Sequence, residues 1–225
     1  MVGGAVRDRF IGRVNKDLDY AVEAESFEAM KDLILSKGGK IFLETPQFFT
    51  IRAKIKDIGC ADFVLCRKDG AYRDGRRPES VTVGTIEDDL RRRDFTMNAI
   101  ALNVADEMDV RDPHRGINDI AFKMIRCVGD AEARFGEDKL RIFRALRFSM
   151  TLGFTLDGEC EWGIQQFRDV SDFDAVSTER IREELLKMFS VDSFRSVDLL
   201  NQFSTLRKVV ESRGLWFKPT IEQRA

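Results

Sequence analysis

Two aspartates one residue apart, Asp17 and Asp19 in Lys16-Asp17-Leu18-Asp19-Tyr20, follow closely on a glycine turn, Gly3-Gly4-Ala5-Val6-Arg7-Asp8. On an extended strand residues i and i+2 point to the same face, so these carboxylates would project side by side. Such a pair suits Mg²⁺, which takes hard oxygen ligands in a near-octahedral shell, keeps several waters and is shared between carboxylates and substrate phosphates. Leu18 and Tyr20 face the other way, toward a core. The Gly3-Gly4 turn lets a triphosphate approach backbone with no Cβ in the way, and Arg7, three residues after Gly4, is placed for a phosphate contact. The combination reads as a metal-dependent nucleotidyl transfer site. Each half also has a plainer reading: two exposed carboxylates on a loop, and a simple tight turn before a helix.

The elements that must hold these residues follow from hydrophobic spacing. Phe27, Met30, Leu33 and Ile34 recur at helical intervals over 26–37, with Ser26 as N-cap and Gly38-Gly39 as the stop. Residues 40–43, 48–55 and 61–65 alternate as strands, with Asp57-Ile58-Gly59 as a hairpin-like connection between the last two. From about residue 115 the pattern becomes helical, over 137–151, 159–169, 177–190 and 193–211. This predicts a mixed α and β front followed by an all-helical part, with a boundary between about 112 and 130.

The chain has 225 residues, enough for one large or two small domains, and a formal charge of −2. No global positive field marks a nucleic-acid binder, so local patches would have to hold a polyanion. Two basic stretches are candidates: the segment 67–78, with five cations and two glycines, and Arg91-Arg92-Arg93. The plainer reading of both is a solvated polar loop. Four cysteines without C-x-x-C spacing and a single histidine, His114, argue against zinc. No apolar run has the length of a membrane span and no signal-peptide pattern opens the chain, which points to a reducing, cytoplasmic compartment.

In the stretch 137–148, polar residues recur at Asp138, Arg141, Arg144 and Arg147. Steps of three on a helix keep side chains on one slowly rotating face, so Asp138 and Arg141 are expected to stand together. Arg147 falls between Phe143 and Leu140, inside the apolar sector, and a charge there needs a partner. One reading is a salt-bridged helix with a snorkelling Arg147. The sharper reading is a rack in which a carboxylate and guanidinium groups read a base or hold its phosphates. An Asp accepts from the exocyclic amine that cytosine and adenine carry and uracil lacks.

Several segments, in order, resemble one family: Gly3 to Asp8 with Asp17-Leu18-Asp19, then Glu87 to Ala99, then Asp112-Pro113 with Gly116 and Asp119, then Arg134 to Arg141, then Glu179 to Glu184. They are similar to the successive motifs of the bacterial-type (class II) tRNA nucleotidyltransferase and poly(A) polymerase family, over residues 2 to about 190. The resemblance implies an α+β fold: a polymerase-β-like nucleotidyltransferase head of mixed sheet and helices (1–115), then an all-helical, nucleotide-selecting neck and the start of a body (116–225). It implies attack of an RNA 3′ hydroxyl on the α-phosphate of CTP or ATP, with two Mg²⁺ ions. Asp17 and Asp19 would be the catalytic metal ligands, Gly4 and Arg7 would hold the triphosphate, and Arg93 would contact the nucleotide. Asp138, Arg141, Arg144 and Arg147 would form the template that selects C and A.

The implied partners are tRNA or another RNA 3′ end together with CTP and ATP, and no membrane. His114 is read as structural or solvent-exposed, and Asp62 as a third carboxylate or an edge-strand residue. Poly(A) polymerases of the family resemble one another in a Gly-Arg-Arg-Phe-type stretch followed by a histidine. Residues 39–49 here lack it, which favours CCA or partial CCA addition; the segment 67–78 looks full length, leaving terminal A addition available. Oligo(A) or poly(A) addition, and a catalytically inactive nucleotide- or RNA-binding relic, are the alternatives. Family members usually begin with a further strand and continue into body and tail domains, so the chain is expected to be a fragment, a compact relative or a protein with a helper.

Overall fold

The computed structural model describes residues 1–15, 17–56, 58–70, 80–106 and 108–215. Helix α1 (Gly4–Phe10) follows the glycine turn, and β1 (Leu18–Val22) begins one residue after Asp17. Helix α2 (Phe27–Ser36) starts as the sequence predicts, with the Ser26 hydroxyl accepting from the Ala29 N–H, and stops before Gly38, which takes a positive φ. Strands β2 (Lys40–Thr45), β3 (Thr50–Ile55) and β4 (Gly59–Leu65) then join β1 in a four-stranded sheet of order β1-β4-β3-β2. β1 runs parallel to β4, and the other two pairings are antiparallel.

Period-2 alternation gives this sheet two unlike faces. Ile51, Ala53, Ile55, Ala61, Phe63 and Leu65 bury against Met30 and Ile34 of α2, joined by Leu18, Tyr20 and Val22. Tyr20 stacks on Phe63 with ring centroids 5.3 Å apart. The opposite face therefore receives Asp19 and Asp62, which are register partners. Ala21, also on that face, packs against Val2, Leu90, Ala99, Ala101 and Val128.

Beyond the sheet come β5 (Arg67–Asp69), β6 (Val81–Val83), α3 (Ile86–Arg91), β7 (Ala101–Leu102) and β8 (Val110–Arg111). Most of the glycine- and arginine-rich stretch, with its full-length reading, falls in 71–79 and lies outside the described residues, as does Asp57 of the hairpin connection. Then follow α4 (Gly116–Ala121), β9 (Met124–Ile125), α5 (Ala131–Glu137), α6 (Leu140–Leu152), β10 (Thr155–Leu156), α7 (Gly158–Gln166), α8 (Thr178–Phe189), α9 (Ser193–Asn201) and α10 (Ser204–Ser212). The back part is thus mainly, not wholly, helical, since β9 and β10 pair in parallel. Its apolar core runs from Val6, Phe95 and Met97 through Phe143 and Phe173 to Val210, crossing the boundary expected near 115.

Two expected helices are broken. Residues 193–211 divide into α9 and α10 where Phe203 leaves helical geometry (φ −119°, ψ 87°) and buries its ring. The stretch 137–151 divides at Asp138, which is extended (φ −151°, ψ 104°) and accepts the Leu140 N–H at 3.0 Å. An Asp that bonds its own downstream backbone competes with helix continuation. Asp138 and Arg141 are therefore not an i,i+3 ion pair.

The segment Asp112-Pro113 with Gly116 and Asp119 has a structural role. Asp112 accepts the Gly116 and Ile117 N–H groups at 2.7 and 2.9 Å, a Cβ on Gly116 would collide with the Thr96 carbonyl, and buried Asp119 accepts the Thr96 hydroxyl at 2.6 Å.

Candidate active site

One cleft of about 550 Å³ gathers the nine residues singled out in the sequence: Gly4, Arg7, Asp17, Asp19, Arg93, Asp138, Arg141, Arg144 and Arg147. Asn15, Asp94, Asn98, Phe148, Arg92 and Arg180 also line it. Its seven arginines outnumber its four aspartates, so the cleft is locally cationic although the whole chain is slightly acidic.

The floor is the end of β1. Asp17 is exposed, its N–H bonded to Asn15 Oδ1 at 2.8 Å, and Asp19 is half-buried. Burial pushes the Asp19 carboxyl above its ordinary pKa; Arg93 opposes this, while Asp62 and Asp17 push the same way. Asp62 is taken up by Arg52 from β3, through a two-pronged contact at 2.7 Å for each oxygen.

Gly3, rather than Gly4, carries the conformational demand. It sits at φ +72°, and a Cβ there would stand 2.8 Å from Arg93 Nη1. Its bare backbone lets Arg93 lie close to Asp19.

The arginines are held by partners that spacing alone did not reveal. Arg7 donates Nε and Nη2 to Asp8 Oδ1 at 2.8 and 2.7 Å, and Nη1 to Asn98 Oδ1 at 2.8 Å. Buried Asn98 donates in turn to Asp94 Oδ1 at 3.0 Å, and its carbonyl accepts from Arg93 at 3.3 Å. Asp94 Oδ2 receives Nε and Nη2 of Arg144 at 2.8 and 2.6 Å. Burial works against ionising Asp94, but Arg144, Asn98 and Arg141 overcome it and hold the carboxyl well below the usual range. Asp89, fully buried, accepts from both Arg92 and Arg93. One side chain, Asn98, thus links the arm at Arg7 to the arm at Arg144.

On the opposite wall, α8 supports the residues around α6. Arg180 donates to Asp138 Oδ2 at 2.8 Å, and Glu184 pairs with Arg147 and approaches Arg144 at 4.0 Å. The partner that Arg147 required is therefore Glu184. Arg141 reaches back to Glu137 and to the Arg134 carbonyl, which it meets at 2.8 Å. Phe148 carries three guanidinium groups around its ring, those of Arg147, Arg7 and Arg144, at 3.7, 5.0 and 5.5 Å from the centroid. His114 stands outside the cleft, half-buried among Arg91 and Arg134, with its pKa lowered by burial.

Replacing Asn98 by alanine leaves Arg7 and Asp94 each short of a partner. The expected outcome is a loss of about 1–3 kcal/mol in urea unfolding. An unchanged unfolding midpoint would show that the bridge holds nothing together.

A resident cation would have to find ligands here. Among the described residues no group of three or more His, Cys, Asp or Glu is suited to hold a metal ion. Two neighbouring carboxylates beside a cationic cleft do fit magnesium, which completes its shell with water and substrate phosphate. Burial is the main reason the Asp19 carboxyl is raised, with Asp62 and Asp17 adding to it, and a bound cation would favour its ionised form.

Known proteins resemble this chain over most of its length. Residues 1–126 match the family model described as the Poly A polymerase head domain. The CCA-adding enzyme of Listeria monocytogenes serotype 4b (strain CLIP80459) is 36% identical over 207 residues, covering 88% of this chain and 49% of the relative. That of Geobacillus thermodenitrificans (strain NG80-2) is 38% identical, covering 99% and 54%. Among solved structures, the Bacillus stearothermophilus CCA-adding enzyme in complex with CTP superposes with a TM-score of 0.76 at 33% identity, covering 91% of this chain and 47% of that one. A tRNA nucleotidyltransferase complexed with a primer tRNA and an incoming ATP analog gives 0.72 at 30% identity, covering 93% and 58%. The chain spans about half the length of the curated relatives it matches.

Proposed function

Because the chain belongs to the family of the Poly A polymerase head domain, we propose that it is a template-independent RNA nucleotidyltransferase that adds C and A residues from CTP and ATP to the 3′ end of tRNA. The observation that carries this reading is one cleft in which paired carboxylates face a partnered array of arginines. The names of the similar proteins, CCA-adding enzymes and a tRNA nucleotidyltransferase seen with primer tRNA, support the same substrates. Among the described residues no helix is long and apolar enough to cross a membrane. A cytoplasmic location is part of the proposal.

In this reading Arg7 and Arg93 receive the triphosphate over the Gly3-Gly4 backbone. Both are already oriented, Arg7 by Asp8 and Asn98 and Arg93 by Asp89, so little side-chain freedom is lost when the ligand arrives. Asp17 and Asp19 would hold two Mg²⁺ ions. When bound, magnesium supplies a Lewis acid that acidifies a hydroxyl and neutralises a departing pyrophosphate. Asp138 and the α6 arginines face the base. Asp138 gives one oxygen to the Leu140 N–H and the other to Arg180, and each oxygen keeps a lone pair for an exocyclic amine. The partners fix these groups before any base enters, which is what a template made of protein requires.

The test is incubation with Mg²⁺, labelled CTP or ATP, and a tRNA lacking its 3′ end, with sequencing of the products. Extension by C, C and A supports the full reading. ATP use without CTP dependence would favour oligo(A) addition instead, and CTP binding without any extension would leave a nucleotide-binding relic.

A further inference from the structure

Behind the catalytic cleft lies a second groove of about 340 Å³ that shares Arg7, Arg147 and Phe148 with it as a common wall. Its remaining positive charge comes from two elements, Arg13 beyond the end of α1 and Lys187 in the last turn of α8. The charges of the shared wall are already matched, Arg7 by Asp8 and Arg147 by Glu184. The one carboxylate lining the groove, Asp8, is occupied by Arg7 and by Asn15, which donates to it at 2.6 Å. Arg13 is different. It is exposed, and its sole partner among the described residues is the Thr151 carbonyl at 3.1 Å, an uncharged acceptor. Lys187 is exposed and has no ion-pair partner among the described residues. The groove thus presents two unneutralised cations beside the hydroxyls of Thr151 and Ser190, a donor set suited to phosphate oxygens.

Resting on the nucleotidyl-transfer reading, we propose that this groove holds the phosphodiester backbone of the RNA strand whose 3′ end enters the catalytic cleft. The triphosphate has its own donors in Arg7 and Arg93. The second reactant carries one charge per phosphate and must reach the same cleft from another side, so a trail of free cations leading up to the shared wall serves it. Phe148 and the stems of Arg147 and Leu152 give the groove the apolar surface that a sugar or base needs as well.

The double variant Arg13→Gln/Lys187→Gln changes only exposed side chains, so its melting temperature should match the parent's, and Arg13→Lys/Lys187→Arg serves as the charge-retaining control. Binding of a short fluorescent single-stranded RNA is measured by anisotropy across a salt series, alongside KM for CTP. The expected result is about tenfold weaker RNA binding, a salt slope flattened by about 1.4 for two lost phosphate contacts, and an unchanged KM for CTP, with the control restoring binding. Unaltered RNA affinity overturns the proposal. So does a changed KM for CTP, or altered inhibition by inorganic pyrophosphate, with RNA binding intact, since the groove would then hold a free phosphate ligand. Binding is read without turnover, so a parent chain that binds RNA through these residues but never extends it would refute the catalytic reading and leave this one standing.

Discussion

Asp19→Asn is expected to lower nucleotide incorporation by about a thousandfold while leaving the fold intact. In the proposed role of Asp19 as one of two metal-holding carboxylates, its loss forfeits several kcal/mol of transition-state charge stabilisation, and about 4 kcal/mol corresponds to that factor. The fold should survive because Asp19 pairs across the sheet through backbone, and its side chain opens into the cleft. Asparagine removes the burial cost of a carboxylate, the largest cause of its raised pKa, along with the weaker repulsion from Asp62 and Asp17 and the opposing attraction of Arg93, so the variant should unfold at the same or slightly higher urea concentration. Asp17→Asn is expected to behave alike, and either variant retaining more than about a tenth of parental turnover at saturating Mg²⁺ would remove these carboxylates from the reaction. A pH consequence follows from the raised Asp19 pKa. The carboxyl keeps its proton to higher pH than an ordinary aspartate, and a metal ligand must be deprotonated, so proton and cation compete. Apparent Mg²⁺ affinity should fall as pH is lowered toward the carboxylate range, and raising Mg²⁺ should recover the acid side of the rate profile.

The parts of the site legible in the sequence are those governed by short-range periodicity. Asp19 faces the cleft because a strand alternates, with Leu18 and Tyr20 packing toward α2, and Asp17, one residue before β1, lines the same cleft. The conflict at Arg147 was also readable, since a charge in an apolar sector demands a counter-charge, but periodicity on α6 could not say which residue answers it. The answer, Glu184, lies 37 positions away on another helix. Asp94 is 50 positions from Arg144 and Asn98 is 91 from Arg7, and no local pattern specifies such pairings. Asp138 was placed wrongly for a local reason. Helical spacing favoured Arg141 as its neighbour, but its side chain bonds the Leu140 N–H, breaks the helix and leaves the carboxylate to Arg180. The expected division near residue 115 misses a similar long-range fact, because Val6 and Phe95 share one core with the helices beyond it.

Glu184→Leu is expected to destabilise the chain by about 3 kcal/mol, the lower end for breaking a buried ion pair, because it leaves the buried Arg147 without its carboxylate and next to Arg144. Arg147 and Glu184 are both largely buried, with side-chain exposures of 13% and 8%, so solvent does little to compensate the orphaned charge. For a chain of this size that loss corresponds to a melting temperature lower by about 6–12 °C. Arg180 and Glu184 lie four residues apart on one face of α8, so the same helix steadies Asp138 at one end of the array and Arg147 at the other. Replacing both partners separates stability from selection. Arg147→Met/Glu184→Leu removes the charges together, and apolar side chains of similar volume often replace a buried pair at little or no cost, so unfolding should return close to the parental midpoint. Selection should not return with it. With the guanidinium gone and Arg144 no longer flanked by Glu184, discrimination between correct and incorrect nucleotides should relax by about 10–100-fold, the worth of one or two hydrogen bonds to a base. A double variant that regains both stability and parental selectivity, measured as the ratio of kcat/KM for CTP and UTP, would assign Arg147 to the scaffold and confine base reading to Asp138, Arg141 and Arg144.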